Sequence, residues 1–106
     1  MHDLRIDVVR PGTELRVTGR LDGHNTSLAR AALHEAVTAG TGDLLVHVSG
    51  VEIWDASGLG VFVGAHRRAR RDGRRLVLAD VPPRELKLLR AANLHQVLTV
   101  EPLAVA

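Results

Sequence analysis

Cysteine and tyrosine are absent from this 106-residue chain, and Trp54 and Phe62 are its only tryptophan and phenylalanine. Without cysteine there can be no disulfide, no thiolate metal site and no thiol chemistry. So few aromatic rings leave no platform on which single-stranded bases could stack. No apolar stretch approaches the ~18 residues needed to cross a membrane, and no charged-then-apolar leader opens the chain. The expectation is a soluble cytoplasmic protein with no membrane insertion. Lysine is nearly missing too, since 13 of the 14 basic residues are arginine. Arginine keeps its proton far into the basic range. A pI near 10.4 therefore coexists with a net charge of only +2 and says little about a polyanionic partner.

Several signatures of chemistry are also missing. There is no glycine loop followed by lysine and serine or threonine, which excludes a P-loop. Asp55 and Leu59 stand where the nucleophile elbow G-x-S-x-G needs its glycines around Ser57. His2, His24, His34, His47, His66 and His95 show no ligand spacing. We expect no enzyme activity, no cofactor and no metal.

What is present reads as one domain over residues 1–106, large enough to bury roughly two-thirds of its unfolded surface. Leu4, Ile6 and Val8 alternate with Arg5, Asp7 and Val9 as in a strand with one wet face. Pro11-Gly12 marks a turn into a second strand through Leu15 and Val17. Gly19 to Thr26 is a loop leading into a helix, with Asn25 or Thr26 as cap. The rows Leu28-Ala32-Ala36 and Ala29-Leu33-Val37 form its sheet-facing stripe. Leu44 to Val48, broken only by His47, predicts a strand covered on both faces and stopped by Ser49-Gly50.

The stretch from Val51 to Arg75 organises the rest. A helix runs from Ser57 to about Arg71, with Leu59, Phe62, Val63 and His66 along one face. Gly60 and Gly64, one turn apart, cost about 1 kcal/mol each relative to alanine, which predicts close approach to neighbouring backbone. Ser57 falls where a helix N-cap sits. Either it is an ordinary cap, or its hydroxyl carries a phosphoryl group, which the partial positive charge of a helix start favours. Arg67, Arg68, Arg70, Arg71, Arg74 and Arg75 read as a solvated helix end and turn, or as a polyanion-binding surface. Asp72 interrupts them and no base-reading helix is evident, which favours the first. Leu76 to Ala79 is a further strand. Pro82-Pro83 begins a last helix with Leu86, Leu89 and Leu88 inward, Asn93-Leu94 ends it, and Val97 to Val100 closes the chain as a strand. The expected fold class is α/β: a mixed sheet of four to five strands with helices packed on it, ordered β-β-α-β-α-β-α and a fifth strand.

On these residues the chain resembles the STAS domain, in particular stand-alone anti-sigma-factor antagonists. The match is carried by Ser49-Gly50-Val51, by Asp55-Ala56-Ser57-Gly58-Leu59-Gly60, and by Gly19-Arg20-Leu21-Asp22 followed by Thr26. The resemblance implies partner switching. The unphosphorylated antagonist binds an anti-sigma factor that is itself a serine kinase and so frees a sigma factor. Phosphorylation ejects it, and a metal-dependent serine phosphatase restores it. Carried over by position, the phosphoacceptor is Ser57, and the docking surface includes Asp22, Thr26, Trp54, Asp55, Ala56, Ser57, Gly58 and Leu59. Ala56 replaces a second serine common in the family, His47 replaces a common aspartate, and Trp54 is bulkier than usual. Trp54 is either an anchor for the partner or a pin holding its loop to the core. The family also includes scaffolds of larger assemblies and subunits of lipid-transport complexes, a further reading of the same sequence.

Overall fold

A computed structural model describes residues 3–104. The chain forms β1 (Arg5–Arg10), β2 (Glu14–Leu21), α1 (Thr26–Thr38), β3 (Asp43–Ile53), α2 (Ala56–Arg71), β4 (Arg75–Val81), α3 (Pro83–Ala91), a 3-10 turn (Leu94–Gln96) and β5 (Thr99–Pro102). One five-stranded sheet runs β1-β2-β3-β4-β5. The hairpin makes β1 antiparallel to β2, and each later strand is parallel to its neighbour. This is the expected mixed α/β architecture, with the fifth strand present.

Parallel crossovers are almost always right-handed, and three in succession in one direction place α1, α2 and α3 on the same face. A single buried cluster accordingly joins Leu33 of α1, Phe62 of α2 and Leu89 of α3 to Leu15, Val46 and Leu78 of the sheet. Each such side chain contributes about 1.5–3 kcal/mol by leaving water. β3 departs from its predicted burial: Leu44, Val46 and Val48 are buried, whereas Leu45 and His47 are only half-buried. It is covered on one face, and its apolar run overstated the cover. Nor do Ser49-Gly50 stop it. The strand continues through a register shift opposite Arg16 and Thr18. Gly50 permits this, because a Cβ there would lie 2.9 Å from the Thr18 methyl carbon.

Other expectations are corrected too. Leu28 is 59% exposed, so the packing stripe of α1 is narrower than drawn and runs through Ala29, Leu33, Ala36 and Val37. β5 starts two residues later than expected, because Leu94 to Gln96 form a 3-10 turn after Asn93, which takes the left-handed conformation at φ 58°. Gly60 and Gly64 approach nothing: a Cβ at either would have no neighbour within 4 Å beyond the helix itself. Gly60→Ala and Gly64→Ala should therefore each raise stability by about 0.5–1 kcal/mol through lower backbone entropy in the unfolded chain. Urea denaturation of the two variants checks this; a loss of stability would show hidden crowding.

The arginine cluster divides. Arg74 is buried at 5% exposure, Arg75 pairs with Asp43 at 2.6 Å, and Arg68 pairs with Asp72 at 3.6 Å. Only Arg67, Arg70 and Arg71 remain as exposed cations without an ion pair among the described residues. Arg75 holds the Asp43 carboxyl below its ordinary range by hydrogen bonding to it.

His47, read from sequence as an interruption, is a junction. Its Nδ1 lies 2.6 Å from an Asp80 carboxylate oxygen and its Nε2 lies 2.5 Å from one of Glu14. Asp80 reaches it from a left-handed backbone at φ 57°, a conformation that aspartate tolerates better than most residues. The hydrogen bonds to Asp80 and then Glu14 push the His47 pKa up, against a smaller opposing effect of burial. A raised native value means the protonated ring stabilises the fold fully below about pH 6.5, the unfolded value. That contribution disappears as pH climbs through the native value. Denaturation midpoints should fall as pH rises above about 6.5 in the wild type, and His47→Gln should flatten that arm. An unchanged alkaline slope would remove His47 from the account.

Candidate functional site

β2 and β3 are adjacent and parallel, so the segments leaving their carboxyl ends emerge side by side. In open α/β sheets this is where ligands and partners are usually met. One segment is Asp22 to Asn25, leading into α1; the other is Trp54-Asp55, leading into α2. The Trp54 N–H donates to the Leu21 carbonyl at 3.0 Å, which ties the two together at their base.

Asp55, not Ser57, caps α2. It is extended, at φ −153°, and the helix begins at Ala56. One carboxylate oxygen accepts the Gly58 N–H at 3.3 Å, and the other accepts the Gly23 N–H at 3.0 Å across the gap. The capping reading of Ser57 is thereby corrected: aspartate caps as well as serine, and from this position it also reaches the neighbouring loop. Ser57 sits exposed in the first turn, and among the described residues no side-chain hydrogen bond engages its hydroxyl. A Cβ added at Gly23 would lie 3.9 Å from the Ser57 Oγ and 3.7 Å from an Asp55 carboxylate oxygen. The hydroxyl therefore stands beside bare backbone.

The close backbone approach predicted for α2 belongs to Gly58. A Cβ there would meet Ile53 Cγ2 at 3.1 Å, Leu21 Cγ at 3.2 Å and the Leu21 carbonyl oxygen at 3.3 Å. This glycine lets the first turn sit down on the ends of β2 and β3. Leu59 follows half-buried against the core, and Ala56 is exposed. Below the site, the buried Glu85 accepts the Ile53 N–H at 3.2 Å and a hydrogen bond from Arg84 at 2.6 Å. The end of β3 is thus held from α3.

Asp22 is nearly buried and faces its own loop. It accepts Arg20 Nε at 2.8 Å and the His24 N–H at 2.9 Å. Its pKa is lowered, first by the His24 backbone hydrogen bond and then by Arg20, against the cost of burial. Asn25 accepts the Asp22 N–H at 3.1 Å and donates to the Arg20 carbonyl at 2.7 Å. It is the residue before α1, but its side chain closes the loop instead of capping the helix. Thr26 opens α1 half-buried, and no side-chain hydrogen bond among the described residues joins it to residues 54–58.

Trp54 is 54% exposed, and the Arg20 guanidinium carbon lies 4.2 Å from its ring centroid. Arg20 is thus held between the Asp22 carboxylate and the indole face, which offers a flat, partly apolar, partly cationic surface next to Ser57. Sequence reading passed over Arg20. A cation two residues before the loop aspartate was the available signal. His66 is buried on α2 as expected, and its Nδ1 has no hydrogen-bond partner. Burial, then Arg70 and Arg67, lower its pKa. His2 lies outside the described residues. Among those residues no group of histidine, aspartate and glutamate side chains is arranged to hold a metal ion, and no helix is long and apolar enough to cross a membrane.

Comparison with known proteins bears on the family and the fold. The anti-sigma F factor antagonist of Paenibacillus polymyxa is 25% identical over 87 residues, covering 81% of this chain and 74% of that one. The anti-sigma-B factor antagonist of Bacillus subtilis is 25% identical over 100 residues, covering 92% and 91%. Among solved structures, the anti-sigma factor antagonist SpoIIAA in its unphosphorylated form superposes with a TM-score of 0.71 at 19% identity, over 92% of this chain and 87% of that one. The phosphorylated form of the Bacillus protein gives 0.68 at 23% identity, over 92% and 90%. These two share the fold. The family model described as "Mlab, STAS domain" matches residues 5–101. With the family model spanning the sheet, all three helices and the Asp55-to-Gly60 segment, this chain belongs to the STAS domain family.

Proposed function

We propose that this domain is an anti-sigma-factor antagonist whose binding is switched off by phosphorylation of Ser57. One observation carries the reading: Asp55 performs the capping, so the Ser57 hydroxyl is exposed and uncommitted at a helix start. The two relatives named as antagonists, and SpoIIAA solved with and without phosphate, support it.

The partner is an anti-sigma factor with serine kinase activity. Its ATP supplies the γ-phosphoryl group: Ser57 Oγ attacks phosphorus, ADP leaves, and a kinase base takes the hydroxyl proton. A metal-dependent serine phosphatase reverses this by adding water across the O–P bond, which returns serine and inorganic phosphate. The domain itself is a substrate and a binding surface, not a catalyst. It acts in the cytoplasm, where sigma factors work. Its docking face comprises Trp54 with Arg20 beside Asp22, Thr26 at the start of α1, and Asp55 to Leu59. Asp55 and Asp22 position the two loops more than they meet the partner, because their carboxylates are already engaged. A second reading keeps the same face but makes the domain a scaffold or regulatory subunit of a larger assembly. The polyanion reading weakens, because Arg74 is buried and Arg68 and Arg75 are paired.

The test is to purify each anti-sigma-type serine kinase of the source organism and incubate it with this protein, with and without ATP. One of them should bind the unmodified protein and, given ATP, add a single phosphoryl group mapping to Ser57 and then release it. Phosphate found elsewhere, or a phosphorylated form that stays bound, refutes the switch.

A further inference from the structure

Each crossover helix covers the strands that it joins, but β1 is joined to β2 by a hairpin and has no helix of its own. The core-side residues of β1, Ile6 and Val8, with Leu4 just before them, therefore lie open beside the flank of α1. Together with Leu28, Ala32 and Glu35 they line a groove of about 530 Å³. Val8 and Leu28, on its rim, are 62% and 59% exposed. Apolar residues so exposed and so close together mark an interaction surface more often than an accident of folding.

The groove is not isolated. Leu4 and Leu28 also line a second hollow of about 420 Å³, shared with Arg20, Asp22, His24 and Asn25. That is the loop whose Gly23 stands beside Ser57. A protein seated over Ser57 already reaches the mouth of the groove. The floor along α1 is made of small side chains, Ala32, Ala36 and Ala39, which allow close approach of a second helix. The lining on this side runs from Leu28 to Ala39, a rise of about 17 Å, which is room for roughly three turns of a second helix. Charge narrows the occupant further. Arg5 is tied to Asp7 at 3.1 Å and Arg20 to Asp22 at 2.8 Å. Glu35 has no ion pair among the described residues, which leaves a carboxylate facing whatever lies there.

We infer that this groove seats an amphipathic helix of the same anti-sigma kinase that covers Ser57, presenting an aliphatic face to Val8 and Leu28 and a basic residue to Glu35. The inference rests on the Ser57 reading and adds a second, phosphorylation-independent contact to it. Phosphorylation would dismantle the Ser57 half of the interface, and the groove contact alone would be too weak to hold the two proteins together. Helix-in-groove recognition of this kind uses aliphatic anchors about one turn apart.

The experiment measures binding of the purified cognate kinase, without ATP, to Val8→Glu, Leu28→Glu and Glu35→Arg, with Ser57→Asp as reference. The exposed positions should leave the thermal melt unchanged, while each substitution weakens binding roughly tenfold or more. Wild-type affinity in all three, with Ser57→Asp still impaired, overturns the groove and leaves the Ser57 reading intact. A kinase-free dimer that Leu28→Glu dissociates, seen by light scattering, overturns it in favour of a second copy of this chain. If no kinase binds even the wild type, both readings fall together.

Discussion

Arg74→Met should lower the free energy of unfolding by about 3–4 kcal/mol, a large share of the ~5–15 kcal/mol that a domain of this size has in total. The guanidinium enters the protein with no carboxylate among its hydrogen-bond partners. Nε donates to the Gly42 carbonyl at 2.9 Å; Nη1 donates to Ala36 and Val37 at 3.0 and 2.9 Å. Nη2 donates to Gly12 at 2.5 Å and, more distantly, to Thr41 and Asp43 at 3.3 and 3.4 Å. The counter-charge is the negative end of the α1 dipole together with the turn that follows it. Hydrogen bonds from a charged donor are worth about 1.5–3 kcal/mol each. They are not additive, because water would reach some of the freed carbonyls. Methionine keeps most of the volume and none of the donors. Arg74→Lys should fall between the two, since an ammonium is compact and cannot span carbonyls on three segments. Urea denaturation with an unchanged m-value would register the effect; a loss under about 1 kcal/mol would mean that these contacts do little.

The second large effect is on binding. Ser57→Ala should bind the cognate anti-sigma kinase as the wild type does, and Ser57→Asp should bind about thirty-fold to several thousand-fold more weakly. The range corresponds to about 2–5 kcal/mol for a charge left unpaired at a buried contact. Aspartate carries less charge than phosphoserine, which holds about −1.5 to −2, so the lower end belongs to the mimic and the upper end to the modified protein. Stability should barely change in either variant, because the site is exposed and the start of α2 offsets the added charge by about 0.3–1 kcal/mol. Equal affinities for the two variants would falsify the switch. This asymmetry between a tolerant fold and an intolerant interface requires that Ser57 have no structural duty, and the Asp55 cap relieves it of one.

That division of labour was beyond sequence reading. Aspartate and serine are both good capping residues, and spacing alone could not choose between positions 55 and 57. Contact with the Gly23 N–H, 32 residues away, favours Asp55. Alternation and helical periodicity gave the strands, the helices and their order, because those signals are local. Arg74 looked like any other arginine in its cluster, because every carbonyl that it holds is at least 31 residues distant. His47 was similar, with both carboxylates 33 residues away. Gly60 and Gly64 misled for the opposite reason: a glycine in a helix shows that a side chain is dispensable, not that something fills its place. The family resemblance supplied Ser57, Asp55 and Asp22, but not the Arg20–Trp54 stack beside them.

The strands lie in the sheet in the order in which they occur in the chain. During synthesis each new strand can therefore join the growing edge, and none must be inserted between two already paired. The carboxyl end of α1 is the exception, because its carbonyls wait for Arg74, which leaves the ribosome 37 residues after Val37. Until then the amino-terminal half is an incomplete structure with an unfinished helix end, and a chain cut between Thr41 and Arg74 should not hold α1 in place.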